Sequence, residues 1–203
     1  MHKHNLINEL REMGIEEHIL HAIEEVPREI FVPEEYRDYA YENCPQPIGF
    51  GQTISQPYTV AFMIQLLDLK KGSKVLEIGA GSGYNAAVMS KLIGATGKIY
   101  AVELLQELVS MAKTNLKNSG IDNVEVVYGN GYDGFEEQGP YDRIIVTAAA
   151  PFIPKKLMDQ LKKGGVMVIP VRVNFHEVMT RIVKKDKPQV TKHGEFRFVP
   201  MKK

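Results

Sequence analysis

Residues 75–84 read Val-Leu-Glu-Ile-Gly-Ala-Gly-Ser-Gly-Tyr. A short apolar run that meets glycines at 79, 81 and 83 and then turns helical can be satisfied by few folds. The run suits a buried strand, and the glycines let the backbone turn sharply and come close to a ligand before a helix begins. A strand–turn–helix of this kind belongs to a parallel sheet, because the helix must carry the chain back for another strand.

The rest of the chain obeys that implication. Apolar runs at Lys74 to Ile78, Lys98 to Val102, Val124 to Tyr128, Arg143 to Thr147 and Val166 to Val171 read as strands. Helical spacing appears from Tyr58 through Leu67, from Tyr84 to Ile93, and near Glu107 to Lys117 and Lys155 to Leu161. Past Pro170, the runs Val178 to Val183 and Phe196 to Val199 flank a Lys-Asp-Lys-Pro turn with no helix between them, which predicts an antiparallel hairpin. Upstream, Leu6, Leu10 and Met13, then Ile19, Ala22, Ile23 and Val26, predict two short helices parted by Gly14. The stretch from Val26 to Pro57 is broken by Pro27, Pro33, Pro45, Pro47 and Pro57 and reads as a long ordered loop or lid. The expectation is a doubly wound α/β fold: a mostly parallel seven-stranded sheet with helices on both faces, a C-terminal antiparallel hairpin and an N-terminal helical extension.

The spacing of the glycines narrows the ligand. A dinucleotide fingerprint G-x-G-x-x-G needs glycine at 84, where Tyr84 stands, so another adenosyl ligand is favoured over NAD. Glu103, twenty residues past Gly83, closes the second strand, where a carboxylate can accept from both hydroxyls of a ribose. Gly129, Asn130 and Gly131 follow the third strand and put a polar side chain at the carboxyl edge of the sheet. Glu77 with the glycines, Glu103 and Asn130 together resemble the Rossmann-like S-adenosylmethionine-dependent methyltransferases.

A more specific resemblance lies outside these motifs. VPREIFVP (26–33), PIGFGQTISQP (47–57), VTAAAPFIP (146–154) and FRFVP (196–200) are similar to the protein-L-isoaspartate O-methyltransferase family over about Val26 to Pro200. The resemblance implies methyl transfer from S-adenosylmethionine, leaving S-adenosylhomocysteine, to the free carboxylate of isoaspartyl residues in damaged proteins and peptides, with repair through a succinimide. It makes Ser55 the catalytic residue. It implies a donor site of Gln52, Thr53, Ile54, Glu77, Gly79, Ala80, Gly81, Gly83, Glu103, Leu104, Gly129, Asn130, Gly131 and Thr147, and an acceptor site of Ile48, Thr53, Ser55, Ala148 and Ala149. Residues 1–57 then supply N-terminal helices and a substrate-side loop or lid packed on a methyltransferase core of 58–203, one structural domain overall. One position departs from the pattern: the family commonly has Gly-Asp-Gly where this chain has Gly129-Asn130-Gly131. A neutral acceptor makes the weaker hydrogen bond to an adenine amino group, so weaker donor binding is expected.

Composition excludes several alternatives. The 203 residues are 44% hydrophobic, enough for one full core, and Lys plus Arg equals Asp plus Glu at 25 each. Without net charge there is no global field to gather nucleic acid or an anionic membrane. No apolar run approaches the ~20 residues of a membrane span, and the charged N-terminus lacks a signal-peptide core. The lone Cys44 cannot form an intrachain disulfide, and the six histidines show no metal spacing. The expectation is a cytoplasmic monomer with no metal and no nucleic-acid or membrane partner.

Plainer roles compete at single positions. Ser55 before Gln56-Pro57 could cap a helix, Asn130 could serve only its turn, and Thr147 could satisfy strand-end backbone. Two other functions fit the same donor motifs: a methyltransferase of this fold acting on RNA or a small molecule, and a non-catalytic donor-binding module.

Overall fold

The computed structural model describes residues 2–203. Helices α1 (Lys3–Glu12) and α2 (Glu17–Glu25) open the chain and bury Leu6, Leu10, Ile19, Leu20 and Ile23. The proline-marked stretch is more structured than a lid. It holds two 3₁₀ turns, Arg28–Phe31 and Glu34–Tyr39, and an antiparallel pair, β1 (Gln46–Gly49) and β2 (Gln52–Ile54). Prolines forbid long elements but tolerate such short ones.

Helix α3 (Pro57–Leu67) starts on a proline, whose missing N–H would have had no helical partner. The alternating core follows: β3 (Lys74–Ile78), α4 (Tyr84–Ile93), β4 (Lys98–Glu103), α5 (Gln106–Asn118), β5 (Val124–Tyr128), β6 (Tyr141–Val146), α6 (Lys155–Gln160) and β7 (Leu161–Val173). Strands β8 (His176–Val183) and β9 (Gln189–Phe196) end it. The seven strands lie in the order β5-β4-β3-β6-β7-β8-β9, parallel from β3 to β7 and antiparallel from β7 to β9.

Side chains alternate across this sheet with period two and make two cores. Val75, Ile99, Ala101, Ile145 and Val168 face α1 to α5, while Leu76, Tyr100, Val102, Ile144 and Met167 face the other way. That second face is thinly covered, and α6 closes it with the fully buried Leu157, a side chain whose burial stabilises by roughly 1.5–3 kcal/mol. The N-terminal helices share the first core with the sheet, for α2 and α3 pack beside α4, β6 and β7.

One strand differs from its expected place. The hairpin partner of β8 is Gln189–Phe196, not Phe196 to Val199. Its residues are mostly exposed at the sheet edge, so they carry no apolar alternation to read. The FRFVP segment instead leaves the sheet, and Ala149 holds it: Ala149 N–H donates to the Val199 carbonyl at 2.8 Å and the Met201 N–H donates to the Ala149 carbonyl at 2.8 Å.

Candidate active site

The strand order reverses between β3 and β6, and open α/β sheets take ligands where such a reversal leaves a crevice at the carboxyl ends. A cavity lies there. Its floor is Ile78, Gly79, Ala80, Gly81 and Ser82 from the glycine turn, and its walls include Glu103, Leu104, Leu105 and Gly131 from the ends of β4 and β5. Gln52, Thr53, Ile54 and Ser55 enter from β2 and beyond, Thr147 and Ala148 from the end of β6, and Val199 to Lys202 from the C-terminal segment.

The glycine turn is shaped by its neighbours. Gly79 has φ +91°, and a Cβ there would lie 2.4 Å from the Thr147 hydroxyl oxygen. That hydroxyl sits 3.0 Å from the Ile78 carbonyl and 2.7 Å from the Gly79 carbonyl, so Thr147 pins the turn to the end of β6. Gly81, φ +54°, brings its N–H 2.9 Å from Glu103 Oε2. The other oxygen of Glu103 accepts from the N–H groups of Leu104 at 2.8 Å and Leu105 at 3.1 Å. Three backbone donors therefore aim this carboxylate: two take up the lone pairs of Oε1, and Oε2 keeps one lone-pair direction for a ligand hydroxyl.

Glu77 is fully buried one strand away. Oε1 accepts from Asn85 Nδ2 at 2.7 Å, while Oε2 and the Asn85 carbonyl oxygen have no partner among the described residues. Burial pushes the carboxyl up to about 8, against the Asn85 hydrogen bond, and the charge of Glu103 adds to the rise. The unpartnered Glu77 Oε2 and Asn85 Oδ1 are costly unless a ligand satisfies them. An adenosyl sulfonium amino acid fits: Oε2 of Glu103 can accept from a ribose hydroxyl, and the unpartnered Oδ1 of Asn85, which lines the cavity, can accept from its ammonium group. Among the described residues no three His, Cys, Asp or Glu side chains converge as a metal site.

A second groove runs along the outside, bounded by Tyr58, Thr59, the β7–β8 turn at Phe175 to Glu177, and Glu195 to Phe198. It meets the first cavity at Thr53, Ser55, Thr147 and Val199, which line both. Ser55 is half-buried there. The cap position of α3 is Gln56, whose side chain accepts from the Thr59 hydroxyl at 3.3 Å but makes no cap bond to the helix backbone, so Ser55 is not spent as a cap.

Of the residues expected from sequence, Glu77, Gly83, Gly129, Asn130, Ile48 and Ala149 do not line the cavity. Glu77 reaches it through Asn85, and Ala149 through the tail it holds. Gly83 faces Ala112 and Leu116 of α5, and the buried Ile48 packs 3.5 Å from where Gly81 would carry a Cβ. Asn130 accepts the Tyr132 N–H through its own side chain at 3.0 Å, an Asx turn. Sequence reasoning missed Asn85, Tyr84, Leu105 and Met201. Asn85 had a signal, being the one strongly polar residue in an otherwise apolar or aromatic run from Tyr84 to Met89 at the start of the helix.

A parallel sheet with this strand reversal, glycine turn and aimed ribose acid is the architecture of the S-adenosylmethionine-dependent methyltransferases. Comparison with known proteins narrows it. The family model of protein-L-isoaspartate(D-aspartate) O-methyltransferase matches residues 1–203, and the chain belongs to that family. A protein-L-isoaspartate O-methyltransferase of Methanosarcina mazei is 52% identical over 97% of this chain and 81% of its own length. A solved protein-L-isoaspartate O-methyltransferase superposes with TM-score 0.90 at 35% identity, over 98% of this chain and 65% of that longer one. A Plasmodium falciparum structure, described as a putative enzyme of this kind in complex with S-adenosyl-L-homocysteine, superposes with TM-score 0.87 at 28% identity over 99% and 98%.

Proposed function

We propose that this protein methylates the free carboxylate of L-isoaspartyl residues in polypeptides, with S-adenosylmethionine in the inner cavity and the damaged chain in the outer groove. The observation that carries the reading is the shared wall: Thr53, Ser55, Thr147 and Val199 are the only place where both compartments meet among their lining residues.

When bound, S-adenosylmethionine supplies an electrophilic methyl on its sulfonium, which a carboxylate oxygen takes as the neutral thioether leaves. The acceptor, with a reference pKa near ~4, is ionised at neutral pH and needs no general base. The chain's own work is therefore placement and exclusion of water. The Ser55 hydroxyl donates to one acceptor oxygen and leaves the other directed through the window. Thr147 keeps the glycine turn and the end of β6 in one register. Phe50, at φ +54° in the β1–β2 turn and exposed by 56%, projects beside the cavity mouth. The resulting methyl ester is a better electrophile than the carboxylate: the neighbouring amide nitrogen attacks its carbonyl carbon, the methoxy group leaves as methanol with the amide proton, and the succinimide so closed is hydrolysed in part to normal aspartate.

Zero net charge supports a polypeptide acceptor over RNA, and the same reading takes the enzyme to work as a cytoplasmic monomer; no helix is long and apolar enough to cross a membrane. The test is transfer of labelled methyl to two matched peptides, one with isoaspartate and one with aspartate at the same position. Base-labile label on the isoaspartyl peptide alone is expected; label on neither, with donor binding intact, would overturn the reading.

A further inference from the structure

Arg28 is fully buried in the first 3₁₀ turn, yet no carboxylate pairs with it among the described residues. Its Nε donates to the Ala40 carbonyl at 2.9 Å and its Nη2 to the Ser55 carbonyl at 2.7 Å, while Nη1 has no partner. The guanidinium lies over the ring of Tyr84, 4.6 Å from its centroid. Tyr84 is the first residue of α4, directly after the glycine turn, and lines the inner cavity.

Burying a cation without a counter-charge is expensive, and two carbonyls could be satisfied by a neutral donor at less cost. What the planar fork adds is reach in three directions at fixed angles: to the Ala40 segment, to the Ser55 peptide plane, and flat against an aromatic ring. The bond to the Ser55 carbonyl fixes the plane that follows Ser55 and hence where its Cα–Cβ bond points. The stacking face fixes that plane relative to the start of α4, which is part of the donor site.

We propose that Arg28 is a positioning residue for methyl transfer, holding Ser55 at the window through its carbonyl while bracing against Tyr84 in the donor wall. The inference rests on the role given to Ser55 above. Arg28 touches neither substrate and acts only through these two residues.

The test is a double-mutant cycle of Arg28→Lys and Ser55→Ala, read as kcat/KM for an isoaspartyl peptide, with S-adenosylhomocysteine affinity measured for every variant. Lysine keeps the charge but cannot bridge both carbonyls and stack. Arg28→Lys alone should lower kcat/KM by about 30-fold, as a misplaced reacting group does, while S-adenosylhomocysteine affinity stays within about threefold. In the Ser55→Ala background the same substitution should cost less than about threefold, because the group it positions is gone. Equal losses in both backgrounds would overturn the proposal and leave Arg28 a packing residue. If Ser55→Ala alone left turnover unchanged, the reading of Ser55 would fail instead. Arg28→Gln, uncharged, is the second variant. Failure of both position-28 variants to fold with S-adenosylhomocysteine present would also overturn the proposal, since Arg28 would then serve the fold.

Discussion

Gly79 and Thr147 occupy one another's space: the threonine hydroxyl fills the volume that a side chain on residue 79 would need, and bonds to the backbone on either side of it. Gly79→Ala must displace that hydroxyl and also hold φ +91° with a Cβ, so a loss of about 1–3 kcal/mol is expected. Donor affinity should fall at least tenfold. Adding Thr147→Ala removes the clash but not the backbone strain, and calorimetry on the double variant should show partial recovery. No recovery would mean that the clash is not what the first substitution created.

Glu77 gives the molecule a pH dependence of defined sign. Its carboxyl stands at about 8 in the folded chain against 4.5 unfolded, so the folded state keeps a proton that the unfolded state releases. Its contribution is fully present below about pH 4.5 and is lost as pH climbs from there towards 8, at up to about 1.4 kcal/mol per unit. Urea unfolding of the Glu77→Gln variant should show a flatter dependence across that window than the parent. Parallel curves would show that Glu77 is ionised in the folded chain.

Asn130 tests whether a turn residue also touches the donor. If its side-chain oxygen accepts from the adenine, Asn130→Asp should tighten donor binding severalfold, because a charged acceptor makes the stronger hydrogen bond. Unchanged or weaker binding would leave Asn130 with its Asx turn alone, which a carboxylate preserves.

Phe175 stands 96% exposed at the tip of the β7–β8 turn, where it lines the outer groove. Phe175→Ala should raise KM for isoaspartyl peptides by severalfold with kcat and stability nearly unchanged, as expected when binding is lost equally from ground and transition states. A fall in kcat with KM constant would place the acceptor chain elsewhere.

How much of this was legible beforehand follows burial. Strands β3 and β5 and helix α4 stand where their periodicity puts them: β3 is buried from Val75 to Ile78 in the middle of the sheet, β5 at its edge keeps β-branched residues around the buried Val126, and α4 is buried along most of its length. Strand β9 was misplaced because an exposed edge leaves its sequence polar. The β1–β2 pair went unread because strands of four and three residues among prolines carry no period. In the site, the glycine turn and Glu103 were readable, since backbone geometry and a fixed spacing demand those residue types. Arg28 and Asn85 were not assigned, because their work depends on contacts to Ser55 and to Glu77, 27 and 8 residues away.

Two compartments joined at four residues also decide how the reactants may queue. On the proposed assignment the donor and the polypeptide sit in separate compartments that meet at Thr53, Ser55, Thr147 and Val199, so both must be present at once for a methyl group to pass between them. That assignment implies catalysis through a ternary complex, with no stage at which the enzyme itself carries the methyl group.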